Sequence, residues 1–181
     1  MEFLTKIERK VLGWFKTVPN LPSGARAWLG DNVWWIAIIG AILTGLSILF
    51  NLATLSAKLS QLGTTSYNYY VSSTYASWEI ITISVGLVFS ILEVLLLIAA
   101  IQALKQKQKK GWVLLFAAWL LSAIAVVVSG LLTLSILGFI ITVLFGAIGI
   151  AVVGYFLFEI HGEFAHVERS KGVQKDAKIV K

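Results

Sequence analysis

The sequence predicts an all-α, polytopic integral membrane protein built as a four-transmembrane-helix bundle. The chain of 181 residues is 58% hydrophobic and only 13% charged, which is far more apolar than a soluble globular domain. Four segments reach the roughly 20 apolar residues that a helix needs to cross a bilayer. They are Val33–Ala57, Trp78–Leu104, Trp112–Leu132 and Ile136–Ile160. We therefore divide the chain into a cytoplasmic arm over 1–32, a transmembrane domain over 33–160 and a basic cytoplasmic tail over 161–181.

The sequence of the arm predicts an amphipathic helix over Phe3–Val18 that lies in the cytoplasmic membrane interface. Its apolar residues recur every three or four positions, and its basic side chains lie largely off that stripe. The apolar positions are Leu4, Ile7, Val11, Phe15 and Val18, and the basic ones are Lys6, Arg9, Lys10 and Lys16. The alternative is a helix that packs on the inner end of the bundle itself. Pro19 and Pro22 end this helix before the first span.

The first span predicts a retained signal anchor, because it begins at Val33 and is too long for the apolar core of a signal peptide. It leads into an external loop over 58–77, which is the one sizeable connection outside the membrane. This loop is polar and rich in tyrosine, a side chain that gives contact area at low entropic cost. We interpret it either as a contact surface or as a cap whose tyrosines lie at headgroup level.

Basic residues flank alternate ends of the spans and predict the topology. The arm carries five of them, the connection over 105–110 carries four and the tail carries five, whereas the loop over 58–77 carries only Lys58. The positive-inside rule then places both termini in the cytoplasm. The net charge of +6 indicates attraction to anionic lipid headgroups at that face. We expect the protein in the plasma (inner) membrane.

The third and fourth spans are predicted to form a tight hairpin. No charged residue occurs between Trp112 and Phe158, and one straight helix of that length would measure roughly 70 Å, more than twice the hydrocarbon thickness. The chain must therefore fold back on itself. Ser129-Gly130 and Leu134-Ser135 bracket the predicted turn.

Glu93 is the one charged residue near the centre of a predicted span. An ionisable group at that depth is costly and is by default a hypothesis for a functional site. No arginine, lysine or histidine lies at the same depth, and a low dielectric disfavours an unpaired carboxylate. We expect Glu93 to be protonated and hydrogen-bonded at neutral pH, facing the interior of the bundle. There it either holds the helices in register, takes part in proton- or cation-linked binding, or contacts another subunit.

The face of the second span that carries Glu93 is small or polar, and the first span has a similar face. The second-span face consists of Glu79, Thr82, Gly86, Ser90, Glu93, Leu97 and Ala100. The first-span face consists of Gly40, Thr44, Ser47, Asn51, Thr54 and Lys58. If Lys58 forms an ion pair with Glu79 at the outer rim, an antiparallel register places Asn51 opposite Gly86, Ser47 opposite Ser90, and Thr44 opposite Glu93. Hydroxyl and amide groups would then bond across this interface.

The third and fourth spans contribute further small and polar residues at matching depths. Ser122 on the third span and Gly146 on the fourth lie near the level of Glu93, counted from the cytoplasmic ends. Small residues allow membrane helices to approach closely. The predicted polar site is Glu93, Thr44, Ser47, Ser90 and Ser122. The predicted helix-packing residues are Gly40, Asn51, Gly86, Gly138, Thr142 and Gly146.

Several classes of function are disfavoured by what the sequence contains. The chain has no cysteine, which removes thiolate catalysis and thiolate metal sites. Glu159, Glu163 and His166 would share a helix face, but Gly162 weakens that helix and nothing completes a ligand shell, so we predict no metal and no cofactor. We find no nucleophile–base pair, which argues against an enzyme. We also find no basic patch on a folded domain for nucleic acid.

Two functions remain. The first is an accessory or scaffolding subunit of a membrane complex, or a homo-oligomer, which suits four spans without reactive side chains. The second is a small transporter or channel subunit that couples to a proton or cation through Glu93. The second function requires oligomerisation, because four helices are few for a pathway through one copy.

Overall fold

A computed structural model of the chain describes residues 7, 10, 11, 13, 18–62 and 69–164, and this part of the chain is helical without strands. Four long helices account for most of it. They are α1 (Ser23–Leu62), α2 (Tyr69–Lys105), α3 (Lys109–Leu132) and α4 (Ile136–Glu159). Each contains a stretch long and apolar enough to cross a membrane. The prediction of an all-α chain with four apolar spans is confirmed.

Helices α1 and α2 extend beyond the predicted spans. The expected loop over 58–77 is much shorter, since α1 continues to Leu62 and α2 begins at Tyr69. Polar residues end a membrane-spanning segment, but serine, threonine and tyrosine lower helix propensity only slightly. The start of α1 follows Pro22, whose carbonyl accepts a hydrogen bond from the Arg26 amide at 3.0 Å. Helical backbone therefore projects past the apolar stretch at both ends of α1.

The two short connections are tight turns with a residue in the left-handed region. Lys107 has φ 51° between α2 and α3, and Leu134 has φ 52° between α3 and α4. Ser135 then caps α4, because its side chain accepts a hydrogen bond from the Gly138 amide at 3.2 Å. The turn at Thr133–Ser135 lies where the sequence predicts that the third and fourth spans fold back.

The helices pack against their neighbours in chain order, α1 on α2, α2 on α3 and α3 on α4. Helices α1 and α4 do not pack closely along their lengths, so one side of the bundle stays open. We call the end of the bundle that carries the α2–α3 connection the basic end, and the other the distal end. The buried core lies at the basic end, around Trp112, Phe116 and Phe158.

The arm and tail lie largely outside the described residues. Of the predicted interfacial helix Phe3–Val18, the structure describes Ile7, Lys10, Val11, Gly13 and Val18. Val11 is buried in the core cluster, and Ile7 packs against that cluster. At these two positions the arm contacts the bundle itself, as in the alternative interpretation of the sequence. Residues 165–181 of the basic tail are outside the description.

Candidate functional site

A cleft of about 640 Å³ lies between α1 and α4, with α2 and α3 behind it. Its walls are almost entirely apolar. The residues that line it are Leu29, Val33, Ile36, Ala37, Gly40 and Thr44 from α1, Glu93 and Leu97 from α2, Leu115, Ala118, Trp119 and Ser122 from α3, and Gly146, Gly149, Ile150, Val153, Phe156, Leu157 and Ile160 at α4 and its end. The volume falls within the range of small-molecule sites.

The cleft opens sideways, through the gap between α1 and α4. Three of its lining side chains, Ile36, Val153 and Phe156, are exposed on the surface of the bundle. If the four helices span a bilayer, this side of a single copy borders the hydrocarbon. A molecule dissolved in the bilayer therefore has access to the cleft without passing through either end of the bundle.

The register of α1 against α2 sets the level of Glu93. Lys58 forms an ion pair with Glu79 near the distal end. Gly40 lies against Leu97, whose methyl carbon would be 3.6 Å from a Cβ at that glycine. Lys58 and Gly40 are 18 residues apart, as are Glu79 and Leu97. The same register places Thr44 level with Glu93, and both residues line the cleft.

Glu93 receives its hydrogen bond from α3. The Ser122 hydroxyl lies 3.0 Å from Glu93 Oε1 and 3.1 Å from the carbonyl of Ala118 on its own helix. Among the described residues no second side chain bonds to the carboxyl group, so Thr44 lines the same cleft without bonding to Glu93. No described residue forms a hydrogen bond to the other carboxyl oxygen, Oε2, and Glu93 lines the cleft. Glu93 lies twelve residues before Lys105, roughly 18 Å along the helix, near the middle of the candidate span Ser77–Lys105.

Two tryptophan side chains fix the wall that α3 and α4 form. Trp119 Nε1 donates to the carbonyl of Ile150 at 2.8 Å, and Trp112 Nε1 donates to the carbonyl of Leu157 at 2.9 Å. The Trp119 ring lies against Gly154, where a Cβ would come within 2.9 Å of it. Both tryptophans therefore bond to α4 through its backbone. This wall is held by directional contacts as well as by packing.

Glycines on α4 have different roles along the cleft. A Cβ at Gly146 would overlap the side chain of Val126 on α3, so this glycine permits close approach of the two helices. A Cβ at Gly149 would meet no atom within 4 Å. Gly149 therefore leaves space in the cleft, although it lies only three residues from Gly146.

The basic end of the cleft is closed by the buried core and by a link between the start of α1 and the end of α4. Glu159 Oε2 accepts hydrogen bonds from the Arg26 Nε at 3.2 Å and from the Leu21 amide at 3.1 Å. The Tyr155 hydroxyl donates to the carbonyl of Pro19 at 2.8 Å. These contacts link α1 and α4 at the basic end.

Several residues predicted from the sequence lie elsewhere or act differently. The Asn51 amide donates to the Ser47 hydroxyl at 3.4 Å within α1, so neither bonds across to α2 in the described part of the chain. A Cβ at Gly86 would meet nothing within 4 Å, so Gly86 does not mediate close packing. Gly138 lies against Thr133 and Ser135 of its own turn, because it is too near the hairpin tip to face another helix.

Ser90 and Thr142 are half-buried, and no hydrogen bond links either side chain to another described residue. Of the predicted polar site, the cleft therefore brings together Glu93, Thr44 and Ser122. Ser47 and Ser90 lie outside its lining. Apart from the Lys58–Glu79 ion pair at the rim, no hydrogen bond between described residues joins the predicted polar side chains of α1 and α2 in the distal half.

Neither protein-family models, curated proteins nor solved structures give a match for this chain. Its chemistry therefore has to be inferred from the cleft. The described residues contain no cluster of three His, Asp or Glu side chains able to hold a metal ion, and His166 lies outside the description. The described residues that line the cleft include no Arg, Lys or His. A single carboxyl group in an apolar cleft can hold a proton, donate a hydrogen bond or bind a cation.

Sequence reasoning did not find most of the apolar wall. Ile150 and Val153 lie in a uniformly hydrophobic span with no feature to mark them. A tryptophan at mid-membrane depth was one available signal, since its N–H needs an acceptor when buried.

Proposed function

We propose that this chain is a proton- or cation-linked binding protein of the membrane, a small transporter or channel subunit that uses Glu93. One observation carries this proposal: an apolar cleft, open towards lipid, holds a single carboxyl group at its deep end. An intramembrane ionisable group beside a cavity is typical of ion and substrate pathways. Thr44 and Ser122 supply hydroxyl groups at the same level.

The proposal includes an orientation. With both termini in the cytoplasm, the basic end faces the cytoplasm of the plasma (inner) membrane, and its lysines meet anionic headgroups. The arm then lies near the same interface. The cleft occupies the cytoplasmic half of the bilayer, and Glu93 stands near the midplane. A ligand enters from the inner leaflet and meets the carboxyl group last.

Reconstitution in liposomes tests this function. A pH gradient should drive uptake of a cationic dye by the native protein, and Glu93→Gln should abolish the uptake while the helical content stays unchanged. Gln is the matched substitution because it keeps a hydrogen-bond acceptor for Ser122 and removes the exchangeable proton. Equal flux through both proteins, or no flux through either, contradicts the proposal.

A second candidate is an accessory or scaffolding subunit, or a homo-oligomer, and the Ser47–Asn51 pair favours it. Both residues lie on a membrane-spanning helix, Ser47 is exposed, and they bond to each other with no other described partner. Polar side chains on lipid-facing surfaces bond readily to a neighbouring helix. Oligomer size in nanodiscs should fall with Asn51→Leu. Thr54→Val is the control, because the Thr54 hydroxyl already bonds to the carbonyl of Phe50 in its own helix.

A further inference from the structure

We propose that the cleft binds a lipophilic amine, with its nitrogen at Glu93 and its apolar body against α1 and α4. This inference rests on the proposed function and names the class of ligand. It follows from where the polar atoms lie. Of the described side chains that line the cleft, only Thr44, Glu93 and Ser122 are polar apart from the Trp119 ring nitrogen, which donates to the Ile150 carbonyl, and those three lie at one end.

The carboxyl group selects the chemistry of the ligand. Its Oε1 accepts a hydrogen bond from Ser122, Glu93 itself lines the cleft, and no Arg, Lys or His is among the described residues that line it. An anion is disfavoured by the absence of a basic partner. A neutral alcohol forms one hydrogen bond and leaves the carboxyl group neutral. An amine both bonds to the group and balances its charge.

The charge balance also explains how such a ligand reaches the site. A lipophilic amine crosses hydrocarbon as the neutral base RNH₂. At the cleft it takes the proton of the Glu93 carboxylic acid, so that RNH₂ and HOOC become RNH₃⁺ and ⁻OOC with no net charge added. A neutral pair held by hydrogen bonds is far less costly in low dielectric than either ion alone. Ser122 then stabilises the carboxylate from the α3 side.

The same geometry disfavours a membrane phospholipid as the occupant. The polar end of the cleft lies roughly 18 Å along α2 from Lys105, more than half of the hydrocarbon thickness of about 30 Å. A phospholipid of either leaflet keeps its headgroup at the surface, so it would present an acyl chain to Glu93. A compact amine attached to an apolar body matches the opposite polarity, with its polar end deepest.

Two fluorescent probes of equal shape test the inference, 1-pyrenemethylamine and 1-pyrenemethanol. Binding to the purified full-length protein is followed by energy transfer from tryptophan, since Trp119 lines the cleft. The native protein should bind the amine at least about tenfold more tightly than the alcohol, a difference of about 1.4 kcal/mol. Glu93→Gln should remove that preference and leave the weaker alcohol binding in place.

The substitution Gly149→Leu places a leucine side chain in the cleft and blocks it. No atom lies within 4 Å of a Cβ at Gly149, so a leucine fits there and fills space that the ligand needs. It should abolish binding of both probes. Gly45→Leu is the matched control, because a Cβ at Gly45 on α1 is equally free of contacts but the residue does not line the cleft. That variant should bind like the native protein.

Three results would overturn the inference: equal affinity of the native protein for both probes, an amine preference that survives Glu93→Gln, or amine binding that survives Gly149→Leu. Equal affinity is also the result expected if lipid acyl chains fill the cleft. The binding result can be distinguished from the result of the transport experiment. Selective amine binding without gradient-driven flux supports the ligand class and contradicts the transport proposal, and Glu93-dependent flux without amine preference does the reverse.

Discussion

At the scale of single residues, the protein places a carboxyl group where its hydration is lost and supplies one donor to replace it. An acidic residue at the centre of a membrane helix costs on the order of 2.5–3.5 kcal/mol. At Glu93 the Ser122 hydroxyl offsets part of that cost, and the hydroxyl itself is shared with the Ala118 carbonyl. No other described side chain bonds to the carboxyl group, so any further offset comes from its protonation or from a bound ligand.

The bond from Ser122 has a measurable coupling energy. In a double-mutant cycle, Ser122→Ala and Glu93→Ala should each destabilise the folded protein and couple by roughly 0.6 kcal/mol and at most about 1.7, the range for hydrogen bonds between membrane helices. Unfolding in mixed micelles measures the free energies. Ser129→Ala with Glu93→Ala is the control pair, because Ser129 lies on the same helix without a described bond to Glu93. Additive effects of Ser122→Ala would contradict the bond.

The level of Glu93 and its neighbours Thr44 and Ser122 were predictable from the sequence, whereas the contacts along the rest of α1 and α2 were not. One ion pair, Lys58 with Glu79, fixes the register of two antiparallel helices, because both rise by the same distance per residue. Thr44 and Ser122 follow from counting along the chain. The packing assigned to Gly86 and the polar bonds assigned to Ser47 failed, since a periodic stripe gives a face but not the distance to the next helix.

At the scale of helices, glycines let α3 and α4 pack closely, because each glycine leaves room for a large side chain of the other helix. Gly146 lies under Val126, Gly154 lies under Trp119, and Gly130 on α3 lies near Phe139. Close approach increases dispersion contacts, which drive association where lipid removes the hydrophobic effect between helices. The rotation of α4 about its axis is set by these contacts. Hydropathy alone does not encode that rotation, because α4 is apolar on every face.

Two glycines three residues apart on α4 should respond oppositely to the same substitution. Gly146→Leu forces Val126 or the helix backbone to move and should destabilise the protein by about 1–3 kcal/mol, the usual cost of overpacking. Gly149→Leu projects into the cleft and should leave stability unchanged or slightly higher, since leucine favours helix over glycine. Thermal unfolding in detergent compares the two variants.

A rescue experiment separates steric overlap from a general intolerance of α4. Val126→Ala combined with Gly146→Leu should recover most of the lost stability, because it removes the methyl groups that a larger side chain would overlap. If Gly146→Leu is tolerated without the rescue, or if Gly149→Leu is equally damaging, the packing of α4 differs from the one described.

At the scale of the whole molecule, the bundle is closed at one end and open along one side. Its core, around Trp112 and Phe116, lies at the basic end, where Glu159 links the end of α4 to the start of α1. Away from that link, α1 and α4 diverge and leave the cleft between them. Composition predicts the number of spans, but this divergence depends on long-range contacts and was not predictable from the sequence.

The orientation of the bundle determines which leaflet the cleft opens into, and the absence of native cysteine makes it directly measurable. Single-cysteine variants are placed at Ser60, on the distal end of α1, and at Gln106, in the connection at the basic end. Both residues are exposed. With both termini in the cytoplasm, a membrane-impermeant maleimide applied to intact cells should label Ser60→Cys only. Gln106→Cys should react after permeabilisation, and the unmodified chain controls for background labelling.

The reverse pattern would place Glu93 at the end of a cleft that opens into the outer leaflet. The positive-inside rule weighs against that arrangement, because it would require export of the lysine cluster over 105–110.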